Sequence, residues 1–116
     1  MRPSEYFRRN CYIGASFPSP ADAARFHEIG IDNIMWGSDY PHNEATFPYS
    51  RESLRMAFSS WSEADLRKIF SENAARVYGF DLAKLAPLAV GVGPTVADVA
   101  TPLDRLPADA QTLAAN

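Results

Sequence analysis

An α/β fold built on a βαβ unit is predicted by three features of this 116-residue chain. Two short apolar stretches occur at residues 11–17 and 33–38, partly β-branched or aromatic. A capped helix signal lies between them. Three helical stripes then follow without another strand signal. Strand, helix and strand at this spacing form a right-handed parallel crossover.

The elements follow in order. Residues 5–9 form a short helical turn. Residues 11–17, Cys11-Tyr12-Ile13-Gly14-Ala15-Ser16-Phe17, read as a buried strand closed by Pro18. Ser19 is placed as an N-cap, with Pro20 at the first helical position and Asp22 three residues after the cap. Ala23, Phe26 and Ile29 share one helical face, and Gly30 ends the helix because it can take a left-handed conformation. Residues 33–38, Asn33-Ile34-Met35-Trp36-Gly37-Ser38, are the second strand. Residues 39–49 form a loop rich in turn-formers. Ser50 caps a helix with Leu54, Ala57, Phe58 and Trp61 on one stripe. Ser62 with Asp65 starts a second, bearing Leu66, Ile69 and Phe70. Ala74, Val77 and Tyr78 make a third that stops at Gly79. Beyond about residue 85, Pro87, Pro94, Pro102 and Pro107 punctuate an Ala/Val-rich stretch without a period, expected to be an extended or partly ordered tail.

Composition narrows the function. Apolar residues make up 47% of the chain and charged residues 22%, near globular averages. The net charge of −3 argues against nucleic-acid binding, which needs a basic face. No apolar run is long enough to span a membrane. The N-terminus carries Arg2, Arg8 and Arg9 without an apolar core after them, unlike a secretory signal. The single cysteine excludes an internal disulfide, so a reducing cytoplasm is expected. Two strands buried on both faces cannot close a sheet alone, because each keeps an unpaired edge. The chain is therefore expected to be a piece of a larger sheet or to pair with another chain.

Reactive side chains concentrate at the end of the second strand, Trp36-Gly37-Ser38-Asp39-Tyr40-Pro41-His42. Pro41 prevents the strand from running far past Asp39. Asp39 then sits at the carboxyl end of a parallel strand, the rim where α/β enzymes build active sites. Alternation puts Met35, Gly37 and Asp39 on one face, and Ile34, Trp36 and Ser38 on the other, toward the helices. A carboxylate there suits a divalent metal or a water that needs a base. His42 could serve as a second ligand, a proton shuttle or a substrate contact. The competing reading is an aspartate that caps a local turn. One carboxylate and one imidazole fall short of a metal site, and the chain has no HxH or HExxH pair.

Other residues read as structural. His27, near the end of the first crossover helix, suits a surface or helix-cap role. Cys11 reads as a small buried apolar residue. Arg8 and Arg9 belong to a solvated helix end. Trp36, Phe58, Trp61 and Tyr78 are expected in the core. Gly91 and Gly93 precede Pro94 without a lysine, so they form no phosphate loop.

The runs "EYFRRNCYIGASF", "GIDNIMWGSDYPHNEATFPYSRE" and "FSENAARVYGFD" resemble the C-terminal part of the amidohydrolase-related family, over roughly residues 3–82. "WGSDYPH" followed by "NAARVYGF" is the most specific part. The family comprises metal-dependent TIM-barrel hydrolases and decarboxylases akin to aminocarboxymuconate-semialdehyde decarboxylase. The resemblance implies a C-terminal fragment of a (β/α)8 barrel, its last two strands and following helices, over residues 1–84. Residues 85–116 form the tail. It implies that Asp39 is the metal-liganding or catalytic aspartate of the last strand, with His42 assisting from the loop. The implied cofactor is a divalent metal, zinc, and the implied partner is a small-molecule substrate. The family's other ligands are histidines on earlier strands absent here. A full barrel takes about 250 residues, so a truncated chain without activity of its own is expected. A second expectation is a non-catalytic βαβ module that self-associates through open strand edges. A complete small enzyme is the third.

Overall fold

The computed structural model describes residues 1–110. Helix α1 (Pro3–Asn10) leads into β1 (Ile13–Ser16). Helices α2 (Pro20–Ala23) and α3 (Phe26–Ile29) and a 3-10 turn (Ile31–Asn33) cross to β2 (Ile34–Gly37). Helices α4 (Ser50–Phe58), α5 (Glu63–Arg67) and α6 (Asn73–Tyr78) follow, the last two joined by a π turn (Lys68–Glu72). Helices α7 (Leu82–Val92) and α8 (Val96–Val99) close the described chain. The end of the expected tail, residues 111–116, lies outside the described residues.

The two strands pair in parallel, with Ile13 beside Ile34 and Ala15 beside Trp36. Equal parity puts these four side chains on one face, where they join Ala23, Phe26, Leu54, Phe58, Leu66, Ile69 and Val99 in the core. The other face is more open, with Gly14 and Ser16 exposed and Met35 and Gly37 partly exposed. The expectation that both strand faces are buried is thus corrected: within this chain burial is one-sided. Cys11 is corrected likewise. It precedes the strand and is exposed.

Phe58, only 1% exposed, centres the core. Its ring meets Trp61 and Phe70 edge-on at centroid distances of 5.2 Å, and Phe26 lies 6.2 Å away. Trp36 reaches the same group through Phe70 at 5.8 Å. Edge-to-face pairs place positive ring edges on negative faces and add to the burial energy.

The crossover begins as its sequence indicates. Ser19 Oγ accepts from the Asp22 amide at 3.2 Å, and the Asp22 carboxylate accepts from the Ser19 amide at 3.1 Å. The expected single helix is split in two. Hydrogen bonds from Arg25 to Asp22 O and from Glu28 to Arg25 O span only three residues, which tightens the turn between α2 and α3. Gly30 takes a positive φ of 123°, outside the left-handed helical basin expected of it. Gly79 does adopt that basin at φ 73° and ends α6.

Two buried asparagines tie the layers together. Asn73 Nδ2 donates to Ile31 O at 2.8 Å and Ile34 O at 2.7 Å, joining α6 to the entry of β2. Asn33 Nδ2 donates to Arg8 O at 2.8 Å and Cys11 O at 2.7 Å, joining that entry to the end of α1. Each amide satisfies two backbone carbonyls, around the end of α1 and around the entry to β2.

Three further expectations are revised. Ser50 is the first residue of α4 rather than its cap, and its hydroxyl bonds that of the fully buried Thr46 at 2.7 Å. Tyr78 is 65% exposed and packs on Phe80 rather than in the core. The stretch beyond residue 85, assigned by its prolines to an extended tail, is largely helical up to residue 99: it holds most of α7 and all of α8. Pro87 sits inside α7, where the backbone carbonyl it cannot serve lies on an exposed turn open to water. Thr95 and Asp98 make a reciprocal cap for α8, whose Val99 enters the core. The Arg55 guanidinium then holds the carbonyls of Thr101 and Pro102 at 2.8 and 3.1 Å.

Replacing Asn73 by Ala strands two carbonyls, one of them in a buried bond, and should cost about 1–3 kcal/mol. Phe58→Ala should cost about 3–5 kcal/mol through lost burial and a cavity. Urea unfolding checks both as a lowered midpoint at unchanged slope.

Candidate functional site

β2 ends at Gly37, and Ser38 hands the chain to a loop pinned at its base. Thr46 N–H donates to Ser38 O at 2.9 Å, and Ala45 and Thr46 are buried beneath the loop. His42 N–H donates to Asp39 O at 2.9 Å, closing a tight turn that contains a cis Tyr40-Pro41 bond. Asp39 has φ 61°, a left-handed conformation that aspartate tolerates better than bulkier residues. Its side chain is therefore aimed by the turn, not by strand alternation.

That turn brings the two sequence-identified residues together. Asp39 Oδ2 and His42 Nδ1 are 3.0 Å apart. The Asp39 carboxylate is 23% exposed and the imidazole 67%. Glu44, which the sequence reading did not select, completes the group. One ligand atom each from Asp39, His42 and Glu44 lie within 4.8 Å of one another. The Asp-x-x-His-x-Glu spacing in "DYPHNE" was the available signal. It is weak, because these residue types are ordinary in a solvated loop.

The electrostatics follow from the contact. The hydrogen bond from the imidazolium to Asp39 and the carboxylate's charge raise the His42 pKa above its ordinary 6.5. Slight desolvation opposes this, and Glu44 adds to it. The folded state thus prefers the protonated imidazole. The resulting stabilisation is fully present below the unfolded pKa and is lost as pH rises through the higher folded value.

One imidazole and two carboxylates suit a divalent cation of borderline hardness, such as zinc. The donors fit such an ion as an open, three-donor shelf. They come from one stretch of loop, and His42 and Glu44 are exposed, so the shelf is weakly pre-organised. The second histidine is engaged elsewhere. His27 Nε2 lies 3.3 Å from Asp65 Oδ2, and its ring stacks on Trp61 at 4.6 Å. Asp65, bonded by Ser62 and then by His27, is held below the usual carboxylate range. Arg8 and Arg9 lie in the last turn of α1, where cations complement the helix dipole.

The pair makes a titration prediction. By NMR, His42 should titrate above 6.5 in the native chain, and Asp39→Asn should return its midpoint toward 6.5. An unmoved midpoint would show that Asp39 does not hold the imidazole.

The amidohydrolase family model matches residues 2–80, well over half of the chain. No curated protein and no solved structure matches it. The match runs from α1 through α6 and takes in the loop that carries Asp39, His42 and Glu44. On this match the chain belongs to the amidohydrolase family.

Proposed function

We propose that this chain contributes the closing βα segment of a metal-dependent barrel enzyme, which hydrolyses or decarboxylates a small organic substrate. The reading places it in a reducing cytoplasm. The observation that carries it is the position of Asp39. It lies just past the carboxyl end of a parallel strand whose Ile34 and Trp36 pack on the helices and whose Met35 and Gly37, on the other face, stay partly exposed. In a closed barrel the open face is the interior, and the strand ends carry the chemistry.

In this reading Asp39 would hold a divalent cation, with Glu44 able to reach it, and His42 stays off the cation and carries the proton. A bound cation supplies Lewis acidity to the substrate. The protein groups move protons. In hydrolysis, the Asp39 carboxylate takes a proton from the attacking water, and protonated His42 returns one to the leaving group. In decarboxylation, His42 donates its proton to the carbon that has lost the carboxylate. The hydrogen bond to Asp39 raises the His42 pKa, which favours this protonated, donating form. By itself the chain is inactive, because its open sheet face gives a substrate no opposite wall and supplies few ligands.

A second reading is a non-catalytic module that associates through strand edges. It is favoured by the two-stranded sheet, in which each strand has one neighbour. Amide exchange separates the two, because edge pairing protects the outer strand amides and a barrel fragment leaves them fast.

Zinc titration tests the metal role. Binding should be weak, should fall in acid as the carboxylates take up protons, and should drop about tenfold or more in Asp39→Asn. Zinc affinity that survives this substitution would remove Asp39 from the proposed site.

A further inference from the structure

Beyond α8 the described chain forms a strap, residues 101–110, outside the segment that the family model matches. Its contacts run backward along α4. Arg55 holds the carbonyls of Thr101 and Pro102, Glu52 lines a hollow with Leu103 and Leu106, and the Tyr49 hydroxyl donates to Asp109 Oδ2. The strap thus retraces α4 toward its N-terminus, where the loop that carries Asp39 and His42 ends. Leu106, buried midway, holds it down. A turn closed by Ala110 N–H on Pro107 O at 2.9 Å presents Asp109. The hydrogen bond to Asp109 raises the Tyr49 pKa above its ordinary 10, so the phenol keeps its proton and remains the donor.

We propose that Tyr49 and Asp109 form a latch by which the C-terminal strap holds the Asp39–His42 loop, which makes both of them positioning residues for the site. The inference rests on the function proposed above for what the loop does, and on geometry alone for the latch. The contact reaches the site in two steps. Tyr49 is the cap of α4, and its carbonyl accepts from the Ser53 amide at 2.9 Å, so anchoring its side chain fixes the end of the loop. Two residues earlier, Phe47 meets Tyr40 edge-on at 5.4 Å across the loop, and Tyr40 follows Asp39 directly. Buried Ala45 and Thr46 hold the base of the loop, but Tyr40 and Phe47 are 66 and 65% exposed. The position of that outer pair therefore depends on where the end of the loop is held. Donors drawn from one loop are pre-organised by contacts from outside it, and the strap supplies one.

Hydrogen exchange on the full chain reads the latch without any metal. The Ala45 and Thr46 amides, bonded to His42 O and Ser38 O, report on the loop, and the Leu66 amide, bonded to Ser62 O, is the control. Tyr49→Phe and Asp109→Ala should each speed exchange of the loop amides about fivefold to tenfold, the double variant no further, with Leu66 unchanged. Asp109→Asn keeps an acceptor and should retain most of the protection. Zinc affinity should follow the same order, about threefold or more weaker in Tyr49→Phe than in the native chain. Loop amides that keep the native rate in both single variants would overturn the latch, as would additive effects in the double variant. Faster loop exchange with unchanged zinc affinity would overturn the positioning role. A native chain without zinc affinity would instead remove the proposed metal site, with the latch decided by exchange alone.

Discussion

The structure depends on one-sided burial of a two-stranded parallel sheet. Two strands of four residues supply few backbone hydrogen bonds, and an isolated pair of this size is marginal in water. Stability must come from the apolar face. Ile34, with none of its surface exposed, and Trp36 provide it by packing on the aromatic group around Phe58. The helices are arranged to meet this requirement. Phe26 arrives from the crossover, Leu54 and Phe58 from α4, and Leu66 and Ile69 from α5 and the π turn. Asn33 and Asn73 then satisfy the carbonyls where the strand begins, so the polar backbone can enter the core without unmet acceptors.

The same arrangement positions the chemistry. Helices bury one face of β2 and its start is tied by asparagine, so its carboxyl end projects into a loop held by buried Ala45 and Thr46. Asp39 and His42 are neighbours because the turn between them is closed by a backbone bond, not because the strand points both the same way. Their contact couples the proton on His42 to the charge on Asp39. Among the described residues the donors come from one loop, and two of the three are exposed.

The C-terminal part follows a different logic. Val99 and Leu106 are buried, and Arg55 grips the backbone between them, so this end of the chain packs on α4. Helix α7 bridges to it with its apolar side chains in water. Surface ion pairs such as Arg25–Glu28 and Arg67–Glu63 are short but solvated, and they contribute little against apolar packing. The molecule is held by its aromatic core and amide ties, and its main exposed apolar liability is one helix.

Local rules made much of this legible. The Ser19–Asp22 box, the Ser62 cap and the Gly79 stop are encoded within a few residues, and the sequence alone determined them. The two apolar strands and the Asp39–His42 pair were legible for the same reason. Periodicity also placed Phe58, Leu66 and Ile69 in the core. Long-range contacts decided the rest. Whether Tyr78 and Cys11 are covered depends on what packs beside them, and nothing in their spacing records it. Ser50 joined the helix behind Tyr49, and its hydroxyl bonds that of buried Thr46. Glu44 approached Asp39 only because the loop folds back on itself. The prolines near α7 suggested an extended chain, since local propensity counts the lost hydrogen bond but not the water that replaces it. Burial and loop closure are sums over distant residues. They were settled only when the layers came together.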